Sequence, residues 1–317
     1  MNELGRLEVH PALLSWIAAF LTNRQQAVRI GGTLSDWRTL KGGVPQGTKL
    51  GVILFTVMTN KMLCDWRLRI KFVDDTSALE IIPRNSISLL NTAVSDIHNF
   101  AVAHNMKLNP IKCKEMMINF LHNSNFLLRP ITIGDNAIER VTSYKILGVF
   151  IDNDLRWNTH VDYIFKKACK KLYSLRVLRR AGVDQANILK VYLTTVRPVL
   201  EYAVPVWQAI PGFLSDIIES VQKRALKIIY PAAETYSEAL HLANLSTLSD
   251  RRDHLCSKYM DRMKQDDHPL SHLLPKLVAS SCNYHLRTAP REFYLFKNVI
   301  SCRTRRTEDF FTFKYFK

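Results

Sequence analysis

The sequence predicts an α+β fold in which strands and helices share the first half of the chain and helices alone fill most of the second. Three observations predict it. Apolar and polar residues alternate in short runs, as in Leu68-Arg69-Ile70-Lys71-Phe72, the period of a strand with one buried face. From His160 onward the apolar residues recur at helical spacing instead, with Val161, Ile164, Phe165, Ala168, Leu172 and Leu175 on one stripe. The 317 residues are 47% hydrophobic and 23% charged, the composition of a packed protein and not of a disordered one.

In chain order, residues 10–21 place Leu13, Ile17, Phe20 and Leu21 on one helical face, with Pro11 suited to the first turn. Gln26–Ile30 and Trp37–Leu40 read as two strands joined through Gly31-Gly32. A glycine-rich loop, Lys41–Thr48, precedes a helix with Leu50, Ile53, Leu54 and Val57 on its apolar face. Two strands fold back at Asp74-Asp75, and a helix covers Ile87–Ala103. A polar bend, Asn105–Lys114, leads to an apolar strand, Met116–Phe120. Strands Ile131–Ile133 and Ala137–Val141 follow, leading to the stretch Tyr144–Asp152. Helices are expected from His160, over Asn187–Tyr202, Leu214–Tyr230 and Tyr236–Lys264, and a basic aromatic tail from Asp266 to Lys317.

The formal charge is +16, with 44 Lys and Arg against 28 Asp and Glu. Such a bias points first to nucleic acid and second to an anionic membrane surface; a plainly soluble basic protein is the alternative. The charge is concentrated: His160–Tyr230 carries 12 basic against 5 acidic residues, with Lys166, Lys167, Lys170 and Lys171 standing off the apolar stripe. They suit a phosphate-tracking surface or a solvated helix face. Six dispersed cysteines with no C-x-x-C fit a reducing compartment. Cys282 and His285 match no regular zinc spacing. No apolar leader follows basic residues at the front, so no secretory signal is expected, and the apolar run Leu50–Met58 is shorter than the ~20 residues of a membrane span. An intracellular protein, in cytoplasm or nucleus, is expected.

Two stretches carry chemistry. Adjacent carboxylates at Asp74 and Asp75 about 4 Å apart repel by roughly 4 kcal/mol at an effective dielectric near 20. A hard divalent cation such as Mg²⁺ offsets that repulsion in a cleft, whereas a solvated turn needs no ion. The loop Gly42-Gly43-Val44-Pro45-Gln46-Gly47 ahead of a helix N-terminus suits a phosphate or an acidic partner, or is a plain surface turn.

Taken together, these stretches resemble the reverse transcriptases of non-LTR retrotransposons, close to the Jockey-like group. Gly42–Gly51 followed by Ile53-Leu54-Phe55 is similar to the family's GGVPQGS-x-LGP-x-LF loop and helix, with Val52 where Pro is usual. Phe72-Val73-Asp74-Asp75-Thr76 is similar to its [FY]-A-D-D-T signature, with Val73 for Ala. Met106–Lys114 is similar to M-x-LN-x-x-K-[TC]-K, and Leu147–Asp152 with Leu155, Trp157 and His160 to the hairpin that grips a primer. The resemblance implies a partial polymerase palm with the primer-grip hairpin over residues 1–158, an antiparallel sheet backed by helices. A helical thumb over 159–265 and a tail over 266–317 would follow.

It also implies RNA-directed DNA polymerisation from an RNA template, a DNA primer and deoxynucleotides, through two Mg²⁺ ions. Asp74 and Asp75 would ligate metal, and Lys112 would steady the pyrophosphate leaving group. Pro45, Gln46 and Gly47 would sit beside template and nucleotide, Leu147 and Gly148 would brace the primer end, and Lys166–Lys171 would follow the backbone. One departure is at the front. The family's first catalytic Asp precedes the helix corresponding to residues 10–21, where this chain has only Glu3 and Glu8. A truncated, catalytically incomplete polymerase is therefore expected, with a non-catalytic nucleic-acid-binding module or a non-functional remnant as alternatives.

Overall fold

The computed structural model describes residues 2–40, 42–45, 47–83, 86–119, 129–265 and 267–274. They fall into two compact units: those within Met1–Glu115 and Leu121–Arg140, and those within Met116–Phe120 and Val141–Lys317. The α+β class holds. The aromatic tail beyond residue 274, with Cys282 and His285, lies outside the described residues.

The first unit opens with α1 (Asn2–Arg6) and α2 (Pro11–Leu21). Pro11 occupies the first turn of α2, where its missing N–H costs nothing. Four two-residue strands follow: β1 (Gln25–Gln26), β2 (Arg29–Ile30), β3 (Thr33–Leu34) and β4 (Arg38–Thr39). β2 pairs with β3 and β1 with β4, both antiparallel. Helix α3 (Lys49–Thr59) is capped by Thr48, whose Oγ1 accepts from Gly51 N–H at 3.0 Å. Leu4, Ile17 and Leu54 bury a small core between α1, α2 and α3. β5 (Arg69–Phe72) and β6 (Asp75–Ala78) form a hairpin. α4 (Leu90–Ala103) begins where the Glu80 carboxylate accepts from Leu89 N–H at 2.9 Å.

Sheet formation departs from the expected single antiparallel sheet. Among the described residues every ladder has two strands. The apolar run Met116–Phe120 is not a strand over residues 116–119. The ladder forms instead at β7 (Lys114–Glu115). It pairs in parallel with β10 (Glu139–Arg140), which follows the tight hairpin of β8 (Thr132–Ile133) and β9 (Asn136–Ala137). Its register sets opposite charges directly across the strands, with Lys114 meeting Glu139 at 2.5 Å and Arg140 meeting Glu115 at 3.0 Å.

The second unit begins with a hairpin of β11 (Ser143–Ile146) and β12 (Val149–Asp152), followed by α5 (Asn158–Arg180). The predicted stripe on α5 is buried, with Val161, Ala168 and Leu175 fully so. It packs on α9 (Gly212–Ile229), which is reached through α6 (Gln185–Val191), α7 (Arg197–Glu201) and α8 (Val204–Trp207). The helix expected over Asn187–Tyr202 is interrupted by a π-helical turn at Tyr192–Val196. The one expected over Tyr236–Lys264 divides into α10 (Tyr236–Ala243) and α11 (Leu248–Met263), because Asn244 turns left-handed at φ 50°. The buried Glu219 carboxylate accepts from Leu248 N–H at 2.9 Å and so caps α11 from α9.

Candidate functional site

The β5–β6 hairpin carries Asp74 and Asp75 at its apex. Val73 and Asp74 make the turn, and Val73 sits at φ 55°. That region is costly for a β-branched side chain, by about 1–2 kcal/mol. Both aspartates are exposed, and neither carboxylate forms a hydrogen bond or ion pair among the described residues. Two cations moor the hairpin to the C-terminal end of α3. Arg69 Nη1 donates to the carbonyls of Asn60 (3.1 Å) and Met62 (2.5 Å), and Lys71 Nζ donates to Thr59 Oγ1 at 2.5 Å. Carbonyls at a helix end carry partial negative charge, so cations suit them. Partial burial, and then the neighbouring Arg69 charge, hold the Lys71 ammonium below the usual lysine range. Trp66 Nε1 closes the hairpin base on Leu79 O at 2.9 Å.

Mg²⁺ prefers oxygen ligands and is commonly held by one or two carboxylates, with waters and phosphate oxygens completing its shell. The unpaired carboxylates of Asp74 and Asp75 fit one such ion. No group of three or more His, Cys, Asp or Glu side chains that would hold a metal occurs among the described residues.

The glycine-rich loop is shaped from both ends. Gly43 and Gly47 lie at φ 83° and 79°, where a side chain would be strained. A Cβ on Gly51 would stand 2.5 Å from Pro45 O, so the loop packs against the first turn of α3 only because that residue is glycine. On the other side the Arg24 guanidinium donates to the Gly42 (3.2 Å) and Gly43 (2.5 Å) carbonyls. A cleft of ≈ 710 Å³ opens there, lined by Arg24, Gln25, Gln26, Leu40, Gly42 and Pro45 among others. The polar run Asn23–Gln26 directly after a helix was the available signal for this wall, which motif reading passed over. Gln46 lies outside the described residues. Lys112 is exposed in a turn where Asn109 Oδ1 accepts from Ile111 N–H. No hydrogen bond or ion pair among the described residues joins it, Pro45 or Gly47 to Asp74 or Asp75.

In the second unit, Leu147 and Gly148 form the β11–β12 turn, both at positive φ. Tyr202 Oη donates to Leu147 O at 2.8 Å, and its ring lies under Gly148, 3.1 Å from where a Cβ would stand. His160 is fully buried between Trp157 and Trp207. Its Nδ1 accepts from Phe150 N–H at 3.3 Å, and its Nε2 finds no hydrogen-bond partner among the described residues. Burial pushes the His160 imidazole down to about 4, against the pull of the Asp152 carboxylate. Of the four α5 lysines, Lys166 is paired with Asp162 at 2.6 Å. Lys167 and Lys170 are exposed and Lys171 is half-buried. No helix among the described residues is long and apolar enough to cross a membrane.

The family model for reverse transcriptase (RNA-dependent DNA polymerase) matches residues 1–151. Curated relatives include a probable RNA-directed DNA polymerase from transposon BS of Drosophila melanogaster, 24% identical over 78% of this chain and 29% of the relative. The RNA-directed DNA polymerase from mobile element jockey of Drosophila funebris is 25% identical over 82% of this chain and 30% of its own length. A probable RNA-directed DNA polymerase from transposon X-element of Drosophila melanogaster is 23% identical over 81% and 29%. The chain thus spans about three-tenths of the length of these relatives. No solved structure matches it. The resemblance to non-LTR retrotransposon enzymes read from the motifs holds, in that residues 1–151 match the reverse transcriptase family model and the relatives are mobile-element polymerases.

Proposed function

We propose that this chain is the palm-and-thumb portion of a mobile-element RNA-directed DNA polymerase, and that its 317 residues alone bind primer–template without extending the primer. The observation that carries the reading is the pair of exposed, unpaired carboxylates at the β5–β6 apex, in a segment that matches the family. Asp74 and Asp75 would hold one Mg²⁺, which would supply charge neutralisation for phosphoryl transfer. Catalysis of that transfer is positioning plus electrostatics, and the chain's residues supply the positioning. The Arg24-braced loop shapes the wall against which template and nucleotide stack, Lys112 attracts the departing pyrophosphate, and Leu147 and Gly148 brace the primer end on Tyr202. The hairpin needs a further carboxylate to hold a second ion, and the described residues bring no third acidic group to it.

A primer-extension assay with Mg²⁺ tests this. No extension by the 317-residue chain is expected. Mg²⁺ should tighten binding of deoxynucleotide to the chain, and Asp74→Ala should abolish that gain. Extension by the 317-residue chain would refute the incompleteness. Salt-dependent duplex binding that neither Mg²⁺ nor Asp74→Ala alters would favour a non-catalytic nucleic-acid-binding module.

A further inference from the structure

In the second unit, β11 and α5 bring two ammonium groups to one phenol. Lys145 Nζ donates to Tyr163 Oη at 2.9 Å and stands 4.4 Å from the centre of its ring. One turn further along α5, Lys167 Nζ stands 5.7 Å from the same centre. Phe150, the cross-strand partner of Lys145, packs edge-on to Tyr163 at 5.1 Å and walls the notch. Both lysines are exposed, and among the described residues neither forms an ion pair. The neighbouring Lys166 differs, because Asp162 already answers its charge.

Two like charges over one ring repel each other, and the ring's negative face offsets part of that. An anion between them would offset the rest. Because Tyr163 Oη accepts from Lys145, its own O–H is left to donate. The hydrogen bond from Lys145, together with the Lys145 and Lys167 charges, holds the Tyr163 phenol below the usual tyrosine range, which strengthens that donor. We infer that Lys145, Tyr163 and Lys167 form a notch that takes one phosphodiester of a nucleic-acid strand. The inference rests on the nucleic-acid reading above and assigns it three specific contacts. Only Lys167 among them belongs to the basic run of α5.

The test is fluorescence anisotropy of the full chain with a labelled RNA-template–DNA-primer duplex across a KCl series. Each phosphate contact contributes about 0.9 to the slope of log affinity against log salt. The double variant Lys145→Gln/Lys167→Gln should therefore lose about one unit of slope and about tenfold in affinity near 0.1 M salt. Lys145→Arg/Lys167→Arg should restore the slope. Tyr163→Phe should weaken binding a few-fold at every salt concentration with the slope unchanged. Lys166→Gln should alter the slope by less than half as much as the double variant, with circular dichroism confirming that each variant folds. An unchanged slope in the double variant, or an equal loss from Lys166→Gln, overturns the notch and leaves the nucleic-acid reading standing. Specific displacement by low-millimolar inorganic phosphate at matched ionic strength reassigns the notch to free phosphate and overturns the backbone contact. Absence of salt-dependent binding by the unmodified chain overturns both.

Discussion

β5–β6 and β11–β12 are each a pair of four-residue strands with full antiparallel register, the first turning through Val73 and the second through Leu147 and Gly148 at positive φ. What lies beneath them differs. In the first, Ile70 and Phe72 are 60% and 58% exposed, and only the opposite face is moored, through Arg69 and Lys71. In the second, Val149 is 6% and Asp152 8% exposed. There the α5 N-terminus holds the strand through Thr159 N–H to Asp152 Oδ2 at 3.3 Å and through His160. The β11–β12 hairpin is therefore a fixed part of the helical unit. The aspartate hairpin is a strand pair with one apolar face open to solvent. Burial of Ile70 and Phe72 would stabilise it by about 1.5–3 kcal/mol per side chain, so its geometry is the more sensitive to what covers it.

That contrast is open to attack from several sides. The largest effect is expected from pH. The folded His160 imidazole titrates near 4 and the unfolded one near 6.5, so only the unfolded chain takes up a proton between those values. The stabilisation is complete above about pH 6.5 and is lost as pH falls towards 4, about 3 kcal/mol in all. Urea midpoints for the wild type and His160→Gln should converge over that window, and parallel curves would show that the buried ring does not titrate there. Next, Val149→Ala should destabilise the second unit by about 2 kcal/mol. Gly148→Ala should cost about 1–2 kcal/mol, since φ is 90° and the added methyl meets the Tyr202 ring; an unchanged thermal midpoint would show that the turn is free to move. The smallest effect is expected at the exposed face: Phe72→Ser should shift stability by no more than about 0.5 kcal/mol. A cost like that of Val149→Ala would mean Phe72 is covered in solution and would erase the contrast.

The aspartate hairpin was legible in the sequence because alternation at period two and a turn signal coincide at Leu68–Phe72 before Asp74-Asp75, and the β11–β12 hairpin was legible only through the family resemblance of Leu147–Asp152. The α5 stripe was legible for the equivalent reason at period 3.6. The β1–β4 and β8–β9 ladders fall at strand pairs read from the sequence, whereas the parallel β7–β10 pairing was not legible, since two residues carry no period and the partners lie far apart in sequence. The break at Asn244 depends on a left-handed residue that the neighbouring apolar pattern does not register. Of the site, the aspartate apex and the glycine loop were read from motif. The Arg24 brace, the Tyr202 prop and the Lys145–Tyr163–Lys167 notch join residues 18 to 55 positions apart, and only the folded chain reveals them. His160 shows the converse: a residue in a recognisable motif turns out to tie a strand to a helix.

In the proposed function, Asp74 and Asp75 together would hold one divalent ion. Titration of the chain with Mn²⁺ as a spectroscopic stand-in for Mg²⁺, followed by electron paramagnetic resonance with primer–template and deoxynucleotide present, tests it most directly. The account predicts one bound ion per chain, lost in Asp74→Asn/Asp75→Asn. Two ions of similar affinity in the wild type, or undiminished binding in the double variant, would contradict it.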